Sequence, residues 1–189
     1  MNETPLGPLA APGTPGPDPD SYWVIPDRLA AGPYPHTANP TAGSRRLEGL
    51  VAAGLTAFVN LTEDETPGTT DAHLVSYRDS LRTISPESVA VSQPIRDLDI
   101  PSIDGMAGTL DAIDRLLGEG HSVYIHCWGG IGRTGTVVGC WLIRHGAVEP
   151  GDALDSLARM RTGLSAYRGR QSPETSEQRA FVAAWEPGA

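Results

Sequence analysis

The chain contains no lysine: all 14 of its basic residues are arginine, and no function follows from that bias itself. Positive charge is short altogether, since 23 acidic residues leave a net charge of −9. Nucleic acid and anionic membranes both demand a basic surface, so neither is expected as a general partner. Cysteine is scarce, with two in 189 residues, which excludes a disulfide framework. No apolar run nears the roughly 18 residues that cross a bilayer, and the N-terminus lacks the basic-then-apolar layout of a signal peptide. The expected location is cytoplasmic. No second histidine or cysteine cluster has zinc spacing, so no metal and no cofactor are expected. Neither an internal repeat nor a sign of oligomeric state is visible.

What is present fits one globular unit, long enough to bury a full core. Residues 1–20 hold prolines at 5, 8, 12, 15, 17 and 19 and little that is apolar, the pattern of a disordered or polyproline-like tail. Residues 21–189 form the expected domain. Tyr22-Trp23-Val24-Ile25 and Leu29-Ala30-Ala31 read as two short strands at a sheet edge, separated by a Pro26-Asp27 turn. Asn39-Pro40 is a helix start, followed by an apolar stripe of Leu47, Leu50, Val51 and Leu55. Thr56 to Leu61 reads as a buried strand, Glu63-Asp64-Glu65 as a solvated turn, 66–72 as a loop and Ala72 to about Leu81 as a helix. Val89-Ala90-Val91 is β-prone, and Ser102 caps a helix running through Met106, Leu110, Ile113, Leu116 and Leu117. A Pro150-started helix and a last one from about Pro173 to Trp185 close the chain. Strands alternating with helices imply an α/β fold, a central mainly parallel sheet covered on both faces.

The chemistry concentrates at one place. A β-branched and aromatic run ends at Ile125, and His126-Cys127-Trp128-Gly129-Gly130-Ile131-Gly132-Arg133-Thr134-Gly135 leads into helical periodicity at Val137, Val138, Trp141 and Leu142. Glycines at 129, 130 and 132 let successive amides turn inward onto an anion. The helix start adds unpaired N–H groups and a positive dipole end. Arg133 supplies a two-pronged donor for a tetrahedral oxyanion. In that field Cys127 is expected to ionise below the free value of about 8.5 and to act as a nucleophile toward phosphorus. Cys140 lies seven residues past Arg133, roughly 10 Å along a helix, too far to bridge to Cys127; it reads as a buried small residue. The competing reading of the loop is a tight structural turn around an inert cysteine.

His126-Cys127, five residues, then Arg133-Thr134-Gly135 resembles the signature loop of the cysteine-dependent protein tyrosine phosphatase superfamily, nearest its dual-specificity branch. Tyr22–Ile25 followed by Gly32-Pro33-Tyr34-Pro35 is similar to the opening of its bacterial members. The resemblance implies hydrolysis of phosphate monoesters, above all phosphotyrosine in proteins and also phosphoserine or phosphothreonine, through a phosphocysteine on Cys127. It implies that Arg133 and the amides of residues 128–133 bind the phosphoryl oxygens. Thr134 would assist departure of the thiolate, and His126 would orient the loop rather than act as a base.

Asp97, on the proline-bracketed loop 93–101, resembles the family's general acid, with Asp99 as its rival. A thiolate below and a carboxylic acid above predict a bell-shaped rate profile on the acidic side of neutral. Gln178, with Glu174 second, falls where the family positions the attacking water, and a helix cap at Thr175 is the competing reading. The family's pattern begins with glutamine where Glu174 stands. Trp128 and Ile131 occupy positions where lipid-selective relatives carry lysines, which favours a singly phosphorylated group. Arg96, Arg168 and Arg170 are candidate second-anion contacts or plain surface arginines. Partners are thus a phosphorylated protein or a small phosphoester. The alternatives are a phosphate-recognising module without turnover, a phosphatase of non-protein phosphoesters, or a sulfurtransferase or arsenate reductase built on a similar loop.

Overall fold

The computed structural model describes residues 3–4, 7–37, 40–164 and 170–189. Two-residue strands β1 (Glu3–Thr4) and β2 (Gly7–Pro8) pair at the start of the chain. The body is a five-stranded sheet in the order β3-β4-β7-β5-β6. Its strands are β3 (Tyr22–Ile25), β4 (Leu29–Gly32), β5 (Ala57–Asn60), β6 (Val89–Ser92) and β7 (Val123–His126). β4, β7, β5 and β6 run parallel, and β3 alone is antiparallel. The expected parallel sheet is therefore present, with one adjustment: β3 is an edge strand, while β4 lies inside the sheet.

The two-residue period of the strands builds both layers of the core. Leu29, Ala31, Ala57, Val59, Val123 and Ile125 point to one face; Ala30, Phe58 and Tyr124 point to the other. The first face is covered by α3 (Ile103–Gly118), α4 (Gly132–Arg144), α5 (Ala153–Met160) and α6 (Ser176–Ala183). The second is covered by α1 (Pro40–Ala52) and α2 (Arg78–Ile84). α4 is buried from Gly132 to Ile143, which holds the helix that follows the signature loop rigidly in the core. The Asp114 carboxylate clamps α3 to it, accepting from Trp141 Nε1 at 2.8 Å and facing His145 Nε2 at 2.9 Å. None of the described helices is long and apolar enough to cross a membrane.

Several expectations change. Residues 7–20, which read as a tail, lie along the body: the Ala10 amide donates to Val24 O at 3.0 Å, Ala10 is buried and Leu9 packs on the core. That contact closes the open edge of β3, a site that would otherwise invite strand pairing. The helix expected over 72–81 begins at Arg78 instead: the Leu74 amide closes a turn onto Asp71 O, and the Asp71 side chain is committed to the Glu63 amide. Asp64 is no solvated turn residue: it accepts from Tyr34 Oη at 2.5 Å and from Asn60 Nδ2 at 2.9 Å. Ser102 caps α3 as expected, accepting from the Gly105 amide. A 3₁₀ turn over Pro150–Asp152 precedes α5, and α6 starts at Ser176 behind a capping box of Thr175 and Gln178. Asn39 and Arg168 lie outside the described residues.

Gly139 sets the approach of α4 to its neighbours, since a Cβ there would stand 2.7 Å from Val182 Cγ1 and 3.3 Å from Leu157 Cδ1. Gly139→Leu is expected to overpack this contact at a cost of about 1–3 kcal/mol, read as a lower urea midpoint with unchanged slope.

Candidate active site

The cradle forms where β7 ends. His126 is the last residue of the central strand, Cys127 follows, and α4 starts at Gly132, so Arg133 sits in its first turn. This is the carboxyl edge of a parallel sheet, where such folds place their ligands. Cys127 and Ile131 are buried, and Trp128 is 55% exposed at the rim. The cavity above measures about 380 Å³ and is lined by Asp97, Leu98, Cys127, Trp128, Gly129, Ile131, Gly132, Arg133, Arg170, Glu174 and Gln178.

Three carbonyls of the loop are tied from outside. The Tyr34 amide donates to Trp128 O at 2.9 Å, Arg161 Nη1 to Gly130 O at 2.7 Å, and Ser172 Oγ to Ile131 O at 2.7 Å. Across a trans peptide the carbonyl and the next amide point opposite ways. The anchors therefore turn the amides of Gly129, Ile131 and Gly132 away from themselves, toward the inside of the loop. Gly130 is required for two reasons: its φ is 66°, and a Cβ would meet Gly32 C at 2.4 Å and Pro33 N at 2.5 Å. Arg161 is itself buried and lies over the Tyr22 ring at 5.7 Å, so the loop rests on a cation–π contact with β3.

Arg133 is 2% exposed and tightly surrounded by acceptors. Asp71 takes it bidentately, Oδ2 at 2.5 Å from Nη1 and Oδ1 at 3.1 Å from Nη2. Ile95 O accepts from Nη1 at 3.1 Å, and Asp97 Oδ1 forms an ion pair with Nη2 at 2.9 Å. Burial opposes the charge of Asp71, but the Arg133 guanidinium and the Glu63 amide outweigh it and hold the carboxyl below its usual range. Burial likewise opposes the charge of Arg133, and Asp71, with the nearby Cys127 and Asp97, holds the guanidinium more basic than usual.

The two acid-loop carboxylates differ. Asp97 lines the cavity and touches Arg133; Asp99 is exposed, turned onto the Ile100 amide at 2.8 Å, and is not part of the cavity wall. Gln178 is fully buried. Its Oε1 accepts from the amides of Glu174 at 3.1 Å and Thr175 at 3.2 Å, and its Nε2 donates to Asp99 O at 3.1 Å. It thus caps α6 and ties that helix to the acid loop while also lining the cavity. Glu174 pairs with Arg170 at the rim, and Arg96 is exposed. Thr134 Oγ1 is buried with no hydrogen-bond partner among the described residues.

His126 faces Tyr77 Oη through Nε2 at 2.8 Å and sits among the rings of Tyr34, Tyr77 and Tyr124. Its pKa is pushed down to about 3, chiefly by burial, with Arg133 and Arg78 adding repulsion against a backbone contact at Cys127 that acts the other way. The ring is neutral at working pH and cannot serve as a protonated acid there. Among the described residues no group of histidine, cysteine and carboxylate side chains could hold a metal ion.

A family model described as "Polymorphic toxin system, DSP-PTPase phosphatase" matches residues 34–147, more than half of the chain. The chain belongs to this DSP-PTPase phosphatase family. Among curated relatives, an uncharacterized protein of Methanocaldococcus jannaschii is 39% identical over 57 residues, covering 30% of this chain and 39% of its own. The tyrosine-protein phosphatase cdc-14 of Caenorhabditis elegans is 31% identical over 81 residues, covering 43% of this chain and 11% of its own. The chain therefore spans well under two thirds of either curated relative. Among solved structures, Tk-PTP in its active form is 29% identical, with a TM-score of 0.61, covering 84% of this chain and 91% of that one.

In this DSP-PTPase phosphatase the matched stretch contains the signature loop and acid loop but ends before Arg161, Ser172 and Gln178. Sequence reasoning alone misses Asp71, Arg161 and Ser172. Only folding brings them to the loop, from 62, 31 and 41 residues away.

Asp71→Ala would leave the buried Arg133 charge with Asp97 as its remaining carboxylate and Ile95 O as a neutral acceptor. The expected loss is about 3–5 kcal/mol of stability, with inhibition by inorganic phosphate weakened roughly tenfold or more, equal to about 1.4 kcal/mol. Denaturation and phosphate inhibition measured side by side check both.

Acid sensitivity follows from the two shifted groups. Unfolded histidine takes up its proton near 6.5 while folded His126 resists until about 3, and Asp71 also binds its proton less readily when folded. The unfolded state therefore holds more protons at low pH, and stability falls as pH falls. The melting temperature is expected to drop steadily below pH 6.5, His126 contributing up to about 1.4 kcal/mol per pH unit. His126→Gln should give a shallower decline; an unchanged slope would show that the ring is not held neutral by burial.

Proposed function

We propose that this domain hydrolyses phosphate monoesters, with phosphotyrosine in proteins as the leading substrate class, through a phosphocysteine on Cys127. One observation carries the reading. Cys127 lies in a cavity whose surrounding carbonyls are anchored outward, with Arg133 and Asp97 on the same wall.

In the first step Cys127 Sγ attacks phosphorus and the bond to the leaving oxygen breaks. The amides of Gly129, Ile131 and Gly132 and the Arg133 guanidinium hold the remaining oxygens as charge redistributes. Asp97 gives its proton to the leaving oxygen. In the second step water attacks phosphorus, the sulfur–phosphorus bond breaks, Asp97 takes the proton, and phosphate leaves. Thr134 Oγ1, buried and unpartnered among the described residues, fits a donor to the departing sulfur. His126 stays neutral and supports the strand end. Gln178 joins the acid loop to α6, and its remaining Nε2 hydrogen is the donor it has left for water.

The resting geometry gives Asp97 a second effect. Its carboxylate sits on Arg133 Nη2, a donor that an incoming phosphoryl oxygen also needs. An arriving dianion competes it off, and the carboxyl group so released is free to turn toward the leaving oxygen. Phosphate binding and arming of the acid are thereby linked.

Hydrolysis of p-nitrophenyl phosphate tests the reading. Wild type is expected to turn over, Cys127→Ser to be inactive, and Asp97→Ala to lose about 10²–10⁴-fold with alkyl phosphates, whose leaving oxygens need a proton. Asp97→Ala should also bind inorganic phosphate more tightly. A silent wild type that still binds phosphate would instead indicate a recognition module, and unaltered turnover in Cys127→Ser would end the phosphocysteine assignment.

A further inference from the structure

Large apolar side chains are not scattered over this surface. Among the described residues the exposed ones are Val75, Leu98, Ile100, Ile103 and Trp128, between 38% and 62% accessible. Isolated exposed apolar residues need no explanation, but a gathered set marks an interaction site. The topology gathers these. β5, β6 and β7 are parallel neighbours, so the segments following them leave the sheet at one edge. Val75 lies in the segment after β5, Leu98 and Ile100 in that after β6, and Trp128 in that after β7; Ile103 opens α3. Leu98 and Trp128 line the cavity over Cys127, and the His73 ring, two residues from Val75, meets Trp128 edge-on at 5.5 Å. Leu98 has a φ of 63°, a left-handed conformation that disfavours a non-glycine residue by about 1–2 kcal/mol. An apolar side chain is thus turned outward at the cavity mouth against its backbone preference.

We infer that this rim is a docking surface for a polypeptide whose residues flanking the phosphorylated side chain are apolar. The inference rests on the phosphatase reading of the cavity. Two of the five, Leu98 and Trp128, line the cavity over the phosphate cradle, so the occupant carries a phosphate. A cavity of about 380 Å³ takes one phosphorylated side chain, and Val75, Ile100 and Ile103 lie beyond its lining, where the adjoining residues of a chain run. A small soluble phosphoester would reach Leu98 and Trp128 only. Charge favours a peptide over an anionic bilayer: Asp99 and Asp104 are exposed between and beside these apolar residues, Arg96 is an exposed cation on the same loop and Arg170 is paired with Glu174, on a chain of net charge −9. That surface repels acidic lipid and acid-flanked peptides and matches apolar flanks with neutral or basic neighbours.

The test uses the full chain, p-nitrophenyl phosphate and two phosphotyrosine peptides that differ only in having leucine or serine at the two positions on either side. The leucine peptide is expected to show a kcat/KM about tenfold higher, through KM, as burial of one to two apolar side chains requires. Ile100→Ser combined with Ile103→Ser should abolish that preference and leave p-nitrophenyl phosphate hydrolysis unchanged. Equal peptides in wild type, or a preference that survives the double variant, overturns the docking surface while retained hydrolysis keeps the phosphatase reading. Absence of all hydrolysis removes both. Sedimentation with phosphatidylcholine–phosphatidylglycerol vesicles is expected to leave the protein in solution; binding that the double variant loses would assign the rim to a membrane instead.

Discussion

The fold is arranged around one buried cation. Arg133 sits in the first turn of a core helix with almost no access to water, a position that is unfavourable unless the charge is fully matched. Asp71 does most of the matching, with both oxygens on the guanidinium, and Ile95 O adds a neutral acceptor. What remains is the contact with Asp97, the more exposed and singly bound of the two carboxylates. The guanidinium has one bidentate partner, Asp71, and one singly bound partner, Asp97, and in the proposed mechanism the second gives way to a phosphoryl oxygen. The geometry thus pre-orients the donor while leaving one side open to exchange.

The second constraint is the backbone of the loop. Glycines permit the curl, but permission does not select a direction for each peptide. Selection comes from Tyr34, Arg161 and Ser172, which fix the carbonyls of three peptide units from three different parts of the chain. Arg161 is in turn supported by Tyr22 of the edge strand, and that edge is covered by the segment around Ala10. Contacts far from the sulfur are therefore linked to the loop through a short series of packed groups.

These supports explain which parts are readable in the sequence. Cys127, Arg133 and the glycines are contiguous, so their spacing alone shows a strand, a curl and a helix start, and the parallel sheet follows from the alternation of elements. Asp71 reads as a loop residue because nothing within its neighbourhood hints at a partner 62 residues on. For the same reason Ala72–Tyr77 looks helical: local periodicity there gives way to a turn closed by the Leu74 amide on Asp71 O, in a residue whose carboxylate is committed to Glu63 and Arg133. Prolines make residues 7–20 look like a free tail, yet an amide at Ala10 suffices to lay the segment on β3. Gln178 reads as chemistry with a cap at Thr175 as its rival, and one side chain serves the cap while reaching the acid loop.

The centre and the rim of the site obey opposite rules. At the centre most polar groups are paired and buried, which suits a reaction common to all phosphate monoesters. At the rim apolar side chains stand in water on loops that share the sheet edge, and there recognition can differ without altering the chemistry. The two regions are joined covalently at Asp97-Leu98. A backbone displacement that takes the carboxylate off Arg133 also moves the neighbouring side chain at the cavity mouth, because a single peptide unit connects them and Leu98 already occupies a narrow region of backbone space. Where the loop backbone moves, contact at the rim and arrangement at the centre change together.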